Sequence, residues 1–154
     1  MKKILFICLG NVCRSPMAEG VFNHEAQKRN INVKADSAGF ESYHIGDPPD
    51  KRTLRICENH GIDISQHSVR LFSTADFDEY DAIYAMDHKN YRDAGYFARN
   101  EEDMKKVHYL MDLITPGKHE SVPDPYLGEE EECNRVYHIL KKASNKILDE
   151  LEEK

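Results

Sequence analysis

Lys3-Ile4-Leu5-Phe6-Ile7-Cys8-Leu9-Gly10-Asn11-Val12-Cys13-Arg14-Ser15-Pro16 is the stretch that decides the fold. Ile4 to Ile7 runs apolar without alternation, as a strand does when both of its faces are covered. This predicts a strand over Lys3–Leu9. Ser15-Pro16 then opens a helix, with serine in the N-cap place and proline at the first helical position. Met17, Val21 and Phe22 share one face of that helix, which fades near Asn30.

The rest of the chain repeats the alternation. Further strands are expected at Val33–Ser37, Ala82–Met86 and Val107–Met111. Helices are expected at Asp50–His60, where Leu54 and Cys57 fall three apart and Gly61 supplies the stop, and at Asp87–Phe97. The longest helix is expected at Gly128–Lys154, with Val136, Ile139, Leu140, Ala143, Ile147, Leu148 and Leu151 spaced by threes and fours. Its first turn, Glu129 to Glu132, places carboxylates at the positive end of the helix dipole. The expected fold is α/β: a single three-layer doubly wound domain over residues 1–154, with a four-stranded parallel sheet flanked by helices. Ligands in such folds bind beyond the carboxyl ends of the strands, near a topological switch point. The loop after the first strand is the place to look.

Composition narrows the function. The 154 residues hold 21 Lys+Arg against 28 Asp+Glu, a net charge of −7. That sign argues against nucleic acid as a partner, because phosphate neutralisation needs a positive field. Four cysteines are too sparse for a disulfide scaffold. The apolar run behind Met1-Lys2-Lys3 is too short for a signal peptide, and no run approaches a bilayer span. A cytoplasmic location with reduced thiols and no membrane partner is expected. The histidines show no metal spacing and no C-x-x-C pair occurs, so neither a metal nor another cofactor is expected.

In the loop Cys8-Leu9-Gly10-Asn11-Val12-Cys13-Arg14-Ser15, a cysteine and an arginine frame five residues. The spacing alone is a weak signal. Context strengthens it. Gly10 and Asn11 tolerate left-handed backbone angles, so the loop can curl. It runs straight into a helix N-terminus, where backbone N–H groups and the dipole favour an anion. Arg14 offers two parallel hydrogen bonds to phosphate oxygens, which lysine does not. The same field favours the thiolate of Cys8, and Ser15 is placed to donate a hydrogen bond to it. Nucleophile, cradle and fork-shaped cation together point to phosphate-ester cleavage through a phosphocysteine. The bland alternative is a small buried cysteine at a strand end. The nucleotide-binding patterns G-x-x-x-x-G-K-[ST] and G-x-G-x-x-G are both absent.

Such chemistry needs a proton donor for the leaving oxygen. Asp124 in Val122-Pro123-Asp124-Pro125-Tyr126 is the candidate, held by two prolines between the fourth strand and the last helix. Taken alone, Pro-Asp-Pro reads equally as turn chemistry.

The two motifs, Cys8 to Pro16 and Asp124-Pro125-Tyr126, resemble the low-molecular-weight protein tyrosine phosphatases. Asp36-Ser37-Ala38-Gly39, Asn59-His60-Gly61-Ile62 and Met86-Asp87 are similar to segments of that family as well, so the resemblance covers nearly the whole chain. It implies that Cys8 attacks phosphorus and that Arg14 and the N–H groups of Leu9, Gly10, Asn11, Val12, Cys13 and Arg14 hold the phosphate oxygens. It implies Asp124 as acid and then base, and Ser15 as support of the thiolate. Asn11 would hold the curl with Ser37 as its partner. His60 and His67 are candidate braces of the loop, or ordinary surface or core histidines. Cys13 resembles the family's second loop cysteine, which pairs reversibly with the nucleophile and would trap a sulfenic acid.

Tyr43 and Tyr126 are candidate walls for a phosphotyrosine ring, though each reads also as packing. The implied partners are phosphotyrosine proteins or peptides, with inorganic phosphate as product, acting on a monomer or weak dimer. Two relatives of the family differ from this chain. Arsenate reductases need further cysteines after the third strand, and Met86 to Asn100 has none. Protein arginine phosphatases carry threonine where Val12 stands, which leaves arginine phosphatase as the alternative activity. A phosphate-binding module without catalysis is the alternative of another class. Vertebrate members have a second tyrosine where this chain has Leu127, so regulation by phosphorylation there is not expected.

Overall fold

The computed structural model describes residues 1–125 and 130–153. Its sheet has four parallel strands, β1 (Lys2–Ile7), β2 (Val33–Ala38), β3 (Ala82–Ala85) and β4 (Val107–Tyr109), in the order β2-β1-β3-β4. The chain steps from β1 outward to β2, then crosses back to β3 on the other side of β1. The switch point therefore lies between the carboxyl ends of β1 and β3.

Six α-helices are described: α1 (Arg14–Lys28), α2 (Lys51–Asn59), α3 (Asp76–Glu79), α4 (His88–Phe97), α5 (Glu101–Met104) and α6 (Glu130–Glu152). Alternate residues of β1 explain the three layers. Ile4 and Phe6 pack with Met17, Val21 and Phe22 of α1 and with Leu140, Ala143 and Ile147 of α6. Leu5 and Ile7 pack on the other face with Phe72, Phe77, Ile83 and Ala94. Burying a full apolar side chain is worth about 1.5–3 kcal/mol, so these two clusters supply most of the drive to close the sandwich.

The helix ends follow local chemistry. Asn30, at φ 56°, terminates α1, with the Ile31 N–H donating to the Ala26 carbonyl. Gly61, at φ 75°, terminates α2, with the Ile62 N–H donating to the Cys57 carbonyl. Both are left-handed caps that satisfy orphan carbonyls. The Asp50 carboxylate starts α2 by accepting from the Arg52 and Thr53 N–H groups.

Several boundaries differ from expectation, most by a single residue, and three have a plain physical cause. Strand β1 ends at Ile7, because Cys8 already turns into the loop while its N–H still donates to the Ala38 carbonyl. Strand β4 ends at Tyr109, and Leu110–Leu113 is a 3-10 turn instead of strand. Leu110 and Met111 are buried in the core, so their apolar character does not separate strand from turn. Helix α1 begins at Arg14 with Cys13 in the cap place, two residues before the Ser15 cap expected from sequence. Pro16 is still in the first turn, where its missing N–H costs nothing. The short helices α3 and α5 carry no apolar periodicity long enough to signal them. Gly128 and Glu129, the expected start of the last helix, lie outside the described residues, as does Lys154.

Candidate active site

The loop after β1 curls at Asn11, the one loop residue in the left-handed region, at φ 57°. Its carbonyls are turned to partners outside the loop. The Leu9 carbonyl accepts from the Phe40 and Glu41 N–H groups, Val12 from Asp50, and Cys13 from Met17. The Asn11 carbonyl lies 3.3 Å from His67 Nε2. A trans peptide points its N–H opposite its carbonyl. Tying those carbonyls outward therefore turns the N–H groups of Gly10, Val12, Cys13 and Arg14 toward a common concavity, an anion nest at a helix start.

Asn11 is fully buried and its amide is used on both sides. Nδ2 donates to Ser15 Oγ at 2.7 Å, and Oδ1 accepts from the Arg70 N–H at 3.2 Å. Ser37 is not its partner, contrary to the expectation from sequence. The Ser37 hydroxyl donates instead to Glu19 Oε1 at 2.8 Å, and that oxygen lies 3.6 Å from His67 Nδ1. Glu19 therefore joins Ser37 to His67, and His67 braces the loop at Asn11. His60 stacks on the Tyr137 ring of α6 at 3.8 Å, which is packing rather than bracing.

Two groups converge on the Cys8 sulfur. Ser15 Oγ lies 2.9 Å from Sγ, and the Asn11 N–H donates to Sγ at 3.3 Å. With Cys8 as thiolate, the serine hydroxyl is the donor. Ser15 is unavailable as a helix cap because this sulfur and Asn11 occupy its hydroxyl. Cys13 is also buried, and burial first, then the Asp50 carboxylate, pushes its thiol up to about 12. Cys13 stays protonated near neutral pH and does not compete as nucleophile. Cys57 and Cys133 are fully buried in the core, as apolar-face residues.

Arg14 is 4% exposed, so its charge needs paired partners. Nη1 donates to Asp87 Oδ2 at 3.1 Å and to the Val122 carbonyl at 2.9 Å. Those bonds occupy both Nη1 protons and leave the Nε–Nη2 edge as parallel donors for phosphate. Nη2 lies 3.7 Å from Asp124 Oδ2, which places the candidate acid at the same guanidinium. Asp87 was not singled out as a site residue from sequence. It follows β3 directly and caps α4, its Oδ1 accepting from the Asn90 N–H. Its signal was available: an acidic helix cap at the carboxyl end of the strand beside β1.

A cavity of about 270 Å³ opens above the loop. Cys8, Leu9, Gly10, Val12, Cys13 and Arg14 form its floor, and Glu41, Tyr43, His44 and Asp124 its sides. Tyr43 is 71% exposed and presents a ring at the rim. Tyr126, the second expected wall, lies outside the described residues. Leu127 does too.

Gly39 holds the loop from behind. A Cβ there would sit 2.8 Å from Asn11 Cβ and 2.9 Å from the Leu9 carbonyl oxygen, closer than real contacts allow. Gly39→Ala is expected to cost about 1–3 kcal/mol of stability by overpacking. Activity should fall more sharply, by about 10²-fold, since a shift of the loop misplaces the reacting atoms. Thermal melts and kcat of the same preparation check this; unchanged activity with unchanged Tm would show that the contact is slack.

A thiol at a strand end, an anion nest, a buried guanidinium and a carboxyl group facing one cleft define a cysteine-dependent phosphate-monoester hydrolase. The family model for low molecular weight phosphotyrosine protein phosphatase matches residues 3–154, and the chain belongs to that family. It is 37% identical over 149 residues to the low molecular weight phosphotyrosine protein phosphatase of Schizosaccharomyces pombe, covering 95% of this chain and 94% of the relative. A crystal structure of a protein tyrosine phosphatase from Entamoeba histolytica, with Hepes in its active site, superposes with TM-score 0.91 at 36% identity, covering 99% of this chain and 98% of that one. A structure of an arginine phosphatase, YwlE, in a mutant form with a phosphorylated active-site serine, superposes with TM-score 0.88 at 25% identity, covering 97% and 95%. Among the described residues no group of three or more His, Cys, Asp or Glu could hold a metal ion, and no helix is long and apolar enough to cross a membrane.

Proposed function

We propose that the chain hydrolyses phosphotyrosine monoesters in proteins and peptides in two steps. Cys8 Sγ attacks phosphorus in line, the bond to the tyrosine oxygen breaks, and Asp124 gives that oxygen its proton. Water then attacks the phosphocysteine, Asp124 takes a proton from it, and the sulfur leaves as thiolate with inorganic phosphate released. Arg14 and the N–H groups from Leu9 to Arg14 hold the equatorial oxygens as charge shifts. Ser15 steadies the sulfur as nucleophile and as leaving group, and Asn11 and His67 keep the loop curled. The observation that carries this reading is the convergence of Cys8, Arg14 and Asp124 on one cleft, with Arg14 anchored at 2.9 and 3.1 Å by groups from outside the loop. No cofactor takes part.

Val12, at 8% exposure, supports tyrosine over arginine as the carrier of the phosphate. An aliphatic group there packs against a ring and offers no hydrogen bond to a guanidinium. In the same reading residues 1–154 act as one domain, a monomer or weak dimer in the cytoplasm, and Cys13 is the thiol that traps a Cys8 sulfenic acid as a disulfide. The test is one peptide carrying phosphotyrosine, phosphoarginine or phosphoserine at the same position. Phosphotyrosine is expected to give the highest kcat/KM; a preference for phosphoarginine would transfer the site to the alternative activity.

Asp124→Ala supplies a second check. Its loss should reach about 10²–10⁴-fold in kcat/KM, which reports the first step, for aryl phosphates with poor leaving groups and shrink for p-nitrophenyl phosphate, whose phenolate needs less help. A loss equal across leaving groups would remove Asp124 from the acid role.

A further inference from the structure

The wall of the cleft contains a carboxylate that the two-step chemistry does not use. The Glu41 N–H donates to the Leu9 carbonyl at 3.1 Å, which ties its backbone to the phosphate loop. Its Oε1 lies 3.5 Å from where a Cβ on Gly10 would stand, so the carboxylate sits over the rim of the cradle. The other acids nearby are engaged. Asp87 holds Arg14 and caps α4, Asp124 faces Arg14, Asp47 lies 3.2 Å from His44 Nδ1, and Asp50 caps α2. Among the described residues, the Glu41 side chain has no hydrogen bond and no ion pair. Among the described residues, Arg14 is the only Lys or Arg lining the cleft, and its Nη1 is held by Asp87 and the Val122 carbonyl.

A half-buried carboxylate at the mouth of a site for a phosphate dianion weakens binding unless the ligand brings a positive charge with it. We propose that Glu41 is a specificity-determining residue that receives the arginine or lysine side chain of a substrate residue flanking the phosphotyrosine. This rests on the phosphotyrosine reading and adds the sequence context of the substrate. The geometry suits it. An arginine side chain is about as long as a tyrosine side chain, so from a flanking position two residues away, on the same face of an extended peptide, it reaches the rim beside the ring. The exposed Tyr43 ring, two residues along the same loop, also lines the cleft and offers a face for the cation. Acidic flanks meet repulsion from the same carboxylate.

The experiment compares two phosphotyrosine peptides that differ in one flanking residue, arginine or glutamate, with wild type, Glu41→Gln, Glu41→Lys and Glu153→Gln. The last removes the same charge from an exposed site just past α6. The readout is the ratio of kcat/KM values for the two peptides. Wild type and Glu153→Gln are expected to favour the arginine peptide by about fivefold or more, Glu41→Gln to lose most of that preference, and Glu41→Lys to reverse it. A ratio that is the same in wild type and both Glu41 variants overturns the inference, as does an equal change in Glu153→Gln, which would make the effect one of overall charge. Absence of hydrolysis of both peptides by wild type would overturn the phosphotyrosine reading itself.

Discussion

Cys8→Ser removes phosphatase activity, with kcat falling by a factor on the order of 10⁴ or more while the fold is kept. Serine is close to isosteric with cysteine, and the position is 3% exposed at the end of β1, so the core around Ile7 and Ala38 has little reason to shift. The hydroxyl would receive the same two neighbours, Ser15 Oγ and the Asn11 N–H. Both neighbours can donate to a sulfur that carries charge as it attacks or leaves. On oxygen they face a group far harder to ionise, and Asp124, placed to serve the leaving group, is no base for it. Circular dichroism and Tm should match wild type while p-nitrophenyl phosphate hydrolysis disappears. Activity within tenfold of wild type would show that the phosphoryl group never passes through Cys8.

Arg14→Lys has the second-largest effect, a fall in kcat of about 10³-fold or more. The guanidinium does two jobs at once. Nη1 is spent on Asp87 and the Val122 carbonyl, which fixes the plane, and in the proposed mechanism the remaining edge meets the phosphate. An ammonium has neither the reach nor the plane to do both. It either stays with Asp87 and leaves the equatorial oxygens short of donors, or turns to the phosphate and leaves the buried Val122 carbonyl without this donor and the half-buried Asp87 carboxylate with only its helix-cap bond. The second outcome costs about 1–3 kcal/mol per group and would show as a lowered Tm. Steady-state kinetics with melts of the same protein separate the two. A loss of less than tenfold would make Arg14 a structural anchor alone.

Much of this was legible in the chain. The unbroken run Ile4 to Ile7 announced a strand covered on both faces, and the loop after it announced an anion site. Gly61 and Asn30 marked helix ends because their preference for left-handed backbone is local. The apolar rows of α6 from Val136 to Leu148 are the core-facing stripe. What was not legible depends on contacts between distant residues. Ser15 looked like a helix cap because nothing local reveals a sulfur seven residues earlier that takes its hydroxyl. The sequence pairs Ser37 with Asn11, yet α1 brings Glu19 to it instead. Asp87 and Arg14 are 73 residues apart and meet only because β1 and β3 are neighbours. Leu110 and Met111 read as strand because burial, not backbone geometry, made them apolar.

The phosphocysteine is the central claim, and trapping it is the most direct test. Asp124→Ala slows the second step, since water then lacks its base, so the intermediate accumulates. With p-nitrophenyl phosphate, whose phenolate leaves without that acid, the first step persists in this variant; rapid quenching, followed by intact and peptide mass analysis, should find a single phosphoryl group per chain, carried on Cys8. Turnover without a phosphorylated enzyme, or a phosphoryl group on any other residue, would contradict the account.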